Sequence, residues 1–332
     1  MKYPDKFTAL VASDGDAGFS AELKDVSINE LPDNDVLVKI DYSTLNYKDA
    51  LAVSGRGKIC RNLPMVCGID FAGTVVESKT SAWSAGDQVL VNGFGMSEIH
   101  WGGYSQYQRV RSEWLIRTPP NFDSKAAMAI GTAGYTAMLC INAIKDHGVT
   151  PEDGPVVVTG ASGGVGSVAI SLLSQLGYEA VAVSGRESMH DYLMRLGASS
   201  VLSRDEFSRK SRPLEKERWS ASIDSVGSST LATLLAQTKY NGIVTACGLA
   251  GGLDLSCTVM PFILRGVTLK GVDSVMAPMA DRERAWASLS QLLTTTDLNS
   301  LCTVKGMSEF PSLADQLLDG KLNGRVVIDV NA

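Results

Sequence analysis

Histidine is scarce in this chain. His100, His147 and His190 are the only ones in 332 residues, and none is spaced with a cysteine or carboxylate as a zinc site requires. The six cysteines, at 60, 67, 140, 247, 257 and 302, form no Cys-x-x-Cys pair and read as free thiols. Cys140, in an apolar helical stretch, and Cys247, ending an apolar strand, read as small core residues. No metal-dependent mechanism is expected. There is no basic block, since the partly basic stretch 204–218 is interleaved with acids, and the net charge is −6; a nucleic-acid partner is not expected. No run approaches the roughly eighteen apolar residues of a membrane span, and Met1-Lys2-Tyr3-Pro4-Asp5 starts no signal peptide. The expectation is a cytoplasmic protein with no membrane partner. Internal repeats and low-complexity segments are missing too.

What is present is a globular composition, 45% apolar and 20% charged. The length exceeds a comfortable single core, so two domains are expected. The strongest local signal is Pro155-Val156-Val157-Val158-Thr159-Gly160-Ala161-Ser162-Gly163-Gly164-Val165-Gly166, a β-branched run entering a glycine turn, followed by helical spacing over 168–176. Such a turn lets backbone approach a dinucleotide pyrophosphate, and the helix N-terminus favours its charge. A glycine triplet alone also occurs where backbones merely pack closely. The next strand, 179–183, decides the reading. It ends in Ser184-Gly185-Arg186, eighteen residues after Gly166, where NAD sites carry Asp or Glu for the ribose 2′-hydroxyl. A hydroxyl and a guanidinium suit a 2′-phosphate instead, so NADPH is favoured. The alternative is that Arg186 is a solvated residue after a strand.

Along the chain, the first third reads as mostly β, with strands at 36–42 and 73–77 and a turn at 85–87 leading into a strand ending at 91. A long helix is expected from Lys125 to near His147. Strands at 156–158, 180–183, 200–202, 221–225 and 242–246 then alternate with helices, which predicts a doubly wound parallel sheet. A strand at 267–272 lies at its far side, placed to pair across a homodimer axis. Helices at 281–293 and 311–318 and a closing strand at 325–330 follow. That last strand resembles the β-rich first third, so the nucleotide domain reads as an insertion, with the active site expected between domains at the carboxyl ends of the parallel strands.

Asn46-Tyr47-Lys48-Asp49, Pro64-Met65-Val66-Cys67-Gly68-Ile69-Asp70-Phe71-Ala72-Gly73, Gly86-Asp87-Gln88-Val89, the 161–166 turn and Gly320-Lys321-Leu322-Asn323-Gly324-Arg325 together resemble the medium-chain dehydrogenase/reductases over the whole chain. Zinc-dependent members carry Gly-His-Glu and a Cys-rich lobe. Here Gly68-Ile69-Asp70 stands instead and no such lobe exists, which places the chain with zinc-free reductases. The stretches 45–52, 68–75 and 271–275 closely resemble the acryloyl-CoA reductase (AcuI/YhdH-type) group of quinone-oxidoreductase-like proteins. The implied fold is α/β: a Rossmann-type doubly wound parallel-sheet domain inserted in a mostly β GroES-like substrate domain. The expected divisions are 1–125, 126–265 for NADPH, and 266–332 for the dimer-edge strand and the return to the substrate domain.

The resemblance implies NADPH-dependent reduction of the carbon–carbon double bond of an acyl-CoA substrate, acryloyl-CoA, to propanoyl-CoA. It assigns Ser162, Gly163, Gly164 and Val165 to the pyrophosphate, Ser184, Gly185 and Arg186 to the adenosine phosphate, and Arg204 as a second cation there. Leu249 and Ile263 are expected as apolar walls, Ser274 near the nicotinamide, and Asn323 reaching the cofactor from the tail; each also has a bland reading, Leu249 and Ile263 as core, Asn323 as a turn residue. Hydride addition to an enoyl thioester builds negative charge on the thioester oxygen, which needs donors, and a proton must reach the α-carbon. Tyr47 is the leading catalytic candidate, at the nicotinamide and substrate; equally, it packs on the ring with its hydroxyl satisfied elsewhere. Lys48 and Asp49 read as an ion pair ordering a loop. Arg56, Lys58 and Arg61, in one loop, are candidate cations for the CoA phosphates, unless merely solvated. General quinone or alkenal reduction, and cofactor binding without catalysis, are the alternative functions.

Overall fold

Alternation over Val36–Thr44 sends Val36, Val38 and Ile40 to one face, where they join Phe71, Val75, Val89 and Val91, and sends Leu37 to the other, with Phe7, Val11 and Tyr107. The computed structural model describes residues 3–16, 18–295, 298 and 301–332 and divides into two units: Met1–Thr132 with Val275–Ala332, and Ala133–Ser274. The divisions expected from sequence, at 125/126 and 265/266, lie a few residues before these.

In the first unit, strands β1 (Lys6–Gly15) and β2 (Gly18–Ser27) form an antiparallel hairpin, with β4 (Met65–Val66) on the other side of β1. The larger sheet uses β3 (Val36–Thr44), β5 (Asp70–Ser78), β6 (Gln88–Asn92), β7 (Tyr107–Val110), β8 (Ile116–Arg117), β15 (Cys302–Gly306) and β16 (Arg325–Asp329). Its order is β15-β16-β3-β5-β6-β8, with β7 also paired to β3. Because β16 lies antiparallel to β3, with Val327 opposite Thr44, the C-terminal tail completes the first unit's sheet and the second unit is an insertion. Helix α1 (Tyr47–Ser54) follows β3, and α7 (Met279–Leu292) and α8 (Phe310–Leu318) belong to the same unit.

Helix α2 (Ser124–Asp146) carries the chain from the first unit into the second. It corrects the expectation that no run is long and apolar enough for a membrane, since by length and composition this helix is. An 18-residue window of it, with a mean hydropathy of 1.4, is 89% buried inside the protein, as a core helix would be.

The second unit alternates β9 (Val156–Val158), α3 (Gly164–Gln175), β10 (Ala180–Ser184), α4 (His190–Arg195), β11 (Ser200–Ser203), β12 (Trp219–Asp224), α5 (Ser228–Gln237), β13 (Thr238–Ala246), α6 (Met260–Arg265) and β14 (Thr268–Gly271). All six strands are parallel, in the order β11-β10-β9-β12-β13-β14. This is the doubly wound order, in which the direction of winding reverses at β9 and opens a crevice beyond the carboxyl ends of β9 and β12. Val156, Val157 and Val158 are all buried, as a strand covered on both faces requires. Val157, Val181, Val183, Leu234, Leu235 and Val244 are the centre of its core.

Candidate functional site

The crevice end of the sheet is built around the turn from β9 to α3. Gly160 has φ +58°, and a Cβ on Gly166 would lie 2.5 Å from the Gly160 carbonyl oxygen and 2.6 Å from the Ala161 Cα, so only glycine allows this approach. Gly163 caps α3 without a side chain, leaving first-turn N–H groups of that helix pointing outward. Such a backbone cradle fits a pyrophosphate. Asp224, buried at the end of β12, holds the neighbouring backbone: it accepts from Thr159 Oγ1 at 2.5 Å and from the Gly227 N–H at 2.8 Å. Burial pushes its carboxyl up, while Thr159 and the two backbone donors at 226 and 227 pull it down.

Four of the expected adenosine-phosphate residues come together beside this turn. Ser184 closes β10 and accepts from the Arg186 N–H at 3.2 Å, and Arg186 Nη2 donates to Ser162 Oγ at 2.8 Å. The Arg204 guanidinium lies over Gly185, where a Cβ would come within 2.9 Å of its Cζ. Two cations thus flank the strand end with no acidic side chain taking the NAD position. Burial lowers the Arg186 guanidinium from its ordinary value, as a neighbouring anion would reverse.

The remaining cofactor candidates are more dispersed. Leu249 lies in the loop after β13, whose Gly251 N–H donates to the Val226 carbonyl at 2.7 Å, so it shares the crevice end with the glycine turn. Leu249 and Ile263 are 57% and 70% exposed. That corrects the alternative reading of both as core: both side chains are exposed. Val165 and Ser274 are half-buried, and Asn323 is exposed between α8 and β16.

In the first unit, Tyr47 opens α1 and is 45% exposed. Lys48 and Asp49 do not pair with each other and do not order a loop. They lie on the helix, whose neighbouring positions diverge by about 100°; Lys48 pairs with Glu98, and Asp49 points into the interior. Asp49 accepts from the Asn46 N–H at 3.0 Å, Asn46 Nδ2 at 2.9 Å and the Ile69 N–H at 3.0 Å, capping α1 and fastening it to the segment before β5. Burial and, next, the neighbouring Asp70 push its carboxyl up to about 7.

Asp70 is the hub of the same cluster. Its carboxylate accepts from the Thr44 N–H and Oγ1, from Asn46 Nδ2 at 3.1 Å, and from the Thr132 N–H and Oγ1 at 2.8 and 2.6 Å. The Thr132 N–H is free to reach it because Gly131, at φ +51°, breaks the helical ladder of α2. Arg325, 2% exposed, donates to the Ala129 carbonyl at 3.2 Å and to Asn46 Oδ1 at 3.4 Å. Burial lowers its guanidinium, and Asp70 and Asp49 oppose that shift. Tyr104 Oη donates to the Thr44 carbonyl at 2.7 Å. Of the loop cations, Arg56 pairs with Asp315 at 2.9 Å, Arg61 lies 3.8 Å from Glu98, and Lys58 is exposed.

Residues 32–120 match the alcohol dehydrogenase GroES-like domain, and residues 164–293 match the family described as zinc-binding dehydrogenase. The chain belongs to the medium-chain dehydrogenase/reductase superfamily. Among the superfamily's members, AcuI of Escherichia coli is 51% identical over 323 residues, which span 97% of this chain and 99% of that protein. The acrylyl-CoA reductase AcuI of Ruegeria pomeroyi is 48% identical across 98% of this chain and 100% of its own length. The crystal structure of E. coli YhdH with bound NADPH has a TM-score of 0.95 at 51% identity, covering 97% of this chain and 100% of that one. These matches place the chain in the AcuI/YhdH group of the superfamily. Among the described residues no group of three or more His, Cys, Asp or Glu is arranged to hold a metal ion.

For this medium-chain reductase, sequence reasoning missed the Asp49–Asp70–Arg325 cluster and Asp224. The Asn46-x-x-Asp49 spacing is a capping signal that was available. For Arg325 nothing in the sequence says that a charged residue 255 positions after Asp70 lies beside it.

Proposed function

We propose that this chain is an NADPH-dependent acryloyl-CoA reductase that converts acryloyl-CoA to propanoyl-CoA. The observation that carries the cofactor is the meeting of Ser184, Arg186 and Arg204 at the end of β10, beside a glycine turn too tight for any side chain at Gly166. The substrate is supported by full-length similarity to the R. pomeroyi acrylyl-CoA reductase. NADPH, when bound, supplies the hydride that adds to the β-carbon of the enoyl thioester.

The chain's residues hold and orient. The 160–166 turn and Ser162 take the pyrophosphate on backbone and hydroxyl donors, and Arg186 and Arg204 take the 2′-phosphate. Leu249 and Ile263 offer apolar surface, Ser274 and Asn323 polar contacts. Tyr47, exposed at the first turn of α1, presents a hydroxyl for charge developing on the thioester oxygen. Its helix is held rigid by the Asp49 cap. Arg61 and Lys58 are offered to the CoA phosphates, with Arg61 already shared by Glu98.

The chain is further proposed to work as a homodimer in the cytoplasm. Strand β14 ends its sheet with an open edge, which a second copy would continue, and six free cysteines suit a reducing compartment.

The test follows absorbance of the reduced nicotinamide with NADPH and acryloyl-CoA, and in parallel with NADH, crotonyl-CoA and a simple quinone. Fast oxidation with NADPH and acryloyl-CoA alone is expected. Comparable turnover of the quinone would replace this reading with general quinone reduction, and no turnover of any acceptor would leave a nucleotide-binding protein.

A further inference from the structure

The chain passes from the first unit to the second at Thr132–Ala133 and returns at Ser274–Val275. The first-unit ends of both crossings are held by one buried run of hydrogen bonds with Asn92 at its middle. Asn92 closes β6, opposite Asp70 in the ladder with β5, and is buried. Its Nδ2 donates to Thr132 Oγ1 at 3.3 Å, and that hydroxyl in turn donates to Asp70. Its carbonyl accepts from Arg282 Nη1 at 2.5 Å, and its Oδ1 accepts from Trp286 Nε1 at 3.2 Å, one turn further along α7.

Arg282 extends the run to the second crossing. Its buried guanidinium donates from Nη2 to the Val275 carbonyl at 2.6 Å and from Nε to the Ala277 carbonyl at 2.8 Å. The Val275 carbonyl also accepts from the Phe94 N–H at 2.9 Å. Phe94 sits at φ +52°, a left-handed conformation uncommon for a bulky residue, and the Arg282 guanidinium carbon lies 3.9 Å from its ring centre. Backbone held in this way persists only where its surroundings over-determine it. A guanidinium carries its donors on three nitrogens and spans carbonyls in different directions, whereas a lysine ammonium puts them all on one atom.

We infer that Asn92 and Arg282 are positioning residues for hydride transfer, which clamp both segments that join the two units. This role rests on the proposed function. There most of the cofactor contacts, Ser274 among them, belong to the second unit and Tyr47 belongs to the first, so transfer depends on how firmly the joining segments are fixed. Neither Asn92 nor Arg282 is assigned to substrate or cofactor. Their effect is on the geometry of approach, where a displacement of about 1 Å can cost on the order of a hundredfold in rate.

The experiment is a single turnover: protein preloaded with NADPH is mixed with acryloyl-CoA, and the loss of nicotinamide absorbance is followed. In Arg282→Lys the rate constant is expected to fall about ten- to a hundredfold, while NADPH affinity, read by fluorescence titration, stays near that of the wild type. Trp286→Phe keeps the ring and removes only the N–H that holds the Asn92 amide, and a slowing of about two- to fivefold is expected. A purely structural role predicts fewer active molecules, hence a smaller amplitude at an unchanged rate constant. Gln108→Ala is expected to behave in that second way, since this buried side chain of the same unit bonds only the Gly102 carbonyl and the Arg109 N–H. Unchanged rate constants in Arg282→Lys and Trp286→Phe, or in Trp286→Phe alone should Arg282→Lys not fold, overturn the inference. If the wild type reduces a simple quinone and not acryloyl-CoA, the proposed substrate falls and the same rate constants are read with the quinone; a wild type that reduces no acceptor overturns both.

Discussion

The glycine turn of the second unit and the Asp70 cluster of the first handle charge in opposite ways. The turn carries exposed backbone N–H groups and two arginines beside it, the groups proposed to take the cofactor phosphates, and its residues are neighbours in sequence or at successive strand ends. The cluster gathers two carboxylates, a guanidinium and hydrogen-bond donors from β3, α1, β5, α2 and β16 into the interior, where the carboxylates are satisfied by Thr44, Asn46, Ile69 and Thr132 while Arg325 Nη2 is left without a hydrogen-bond partner. One is a partly exposed, cationic surface. The other is a joint, and it fastens the helix bearing Tyr47 to the sheet. Low dielectric makes such a joint strong when complete and costly when broken.

The sharpest way to break the comparison is Asp70→Ala, which orphans donors of Thr44, Asn46 and Thr132 and leaves the buried Arg325 less compensated. A loss of about 3–5 kcal/mol in urea unfolding is expected, with the denaturation midpoint as the readout. Gly166→Ala attacks the other region. Its Cβ meets backbone at 2.5 Å, so the turn must shift; overpacking of this kind costs about 1–3 kcal/mol. NADPH affinity, read by nicotinamide fluorescence titration, should weaken by about ten- to a hundredfold.

Arg186→Ala tests the charge recognition itself. The ratio of kcat/KM for NADPH over NADH should fall about tenfold, the size of one charge-assisted hydrogen bond, while the unfolding midpoint stays near that of the wild type. An unchanged ratio would leave discrimination to Arg204 and Ser184.

The last prediction is a pH dependence specific to the joint. Asp49 is raised from 3.8 to about 7 by burial and by Asp70, so the folded chain keeps a proton that the unfolded chain has already released. Stability contributed by that proton is present at low pH and is lost as pH rises from the ordinary aspartate range through about 7, above which the term is flat. Comparing urea midpoints of the wild type and Asp49→Asn at about pH 5 and about pH 8 checks the sign. The wild type should lose more stability across the interval than the variant.

Much of the second unit was legible because its information is local. The triple-valine strand, the glycine positions at 160, 163 and 166, and the Ser184-Gly185-Arg186 strand end each specify a backbone path or a side chain within a few residues of its task. In the first unit β3, β5, β6, β16 and the two later helices were legible, whereas the β1–β2 hairpin, helix α1, strand β15 and the joint were not. Lys48-Asp49 looks like an adjacent ion pair, yet helical geometry turns one residue outward to Glu98 and the other inward to Asn46 and Ile69. The same holds for Leu249 and Ile263, whose apolar character suggests burial that the fold does not provide.

Periodicity and glycine placement by themselves determined the parallel sheet and the glycine turn after β9, because backbone conformation follows from short-range sterics; the likeness to zinc-free medium-chain reductases rested on resemblance of the sequence motifs. Only the tertiary structure decided that Asp70, Asp49 and Arg325 share one buried cluster and that Asp224 braces the crevice. Those contacts join residues from strands and helices far apart in the chain, and a desolvated charge acquires its meaning only from the partners that packing brings to it.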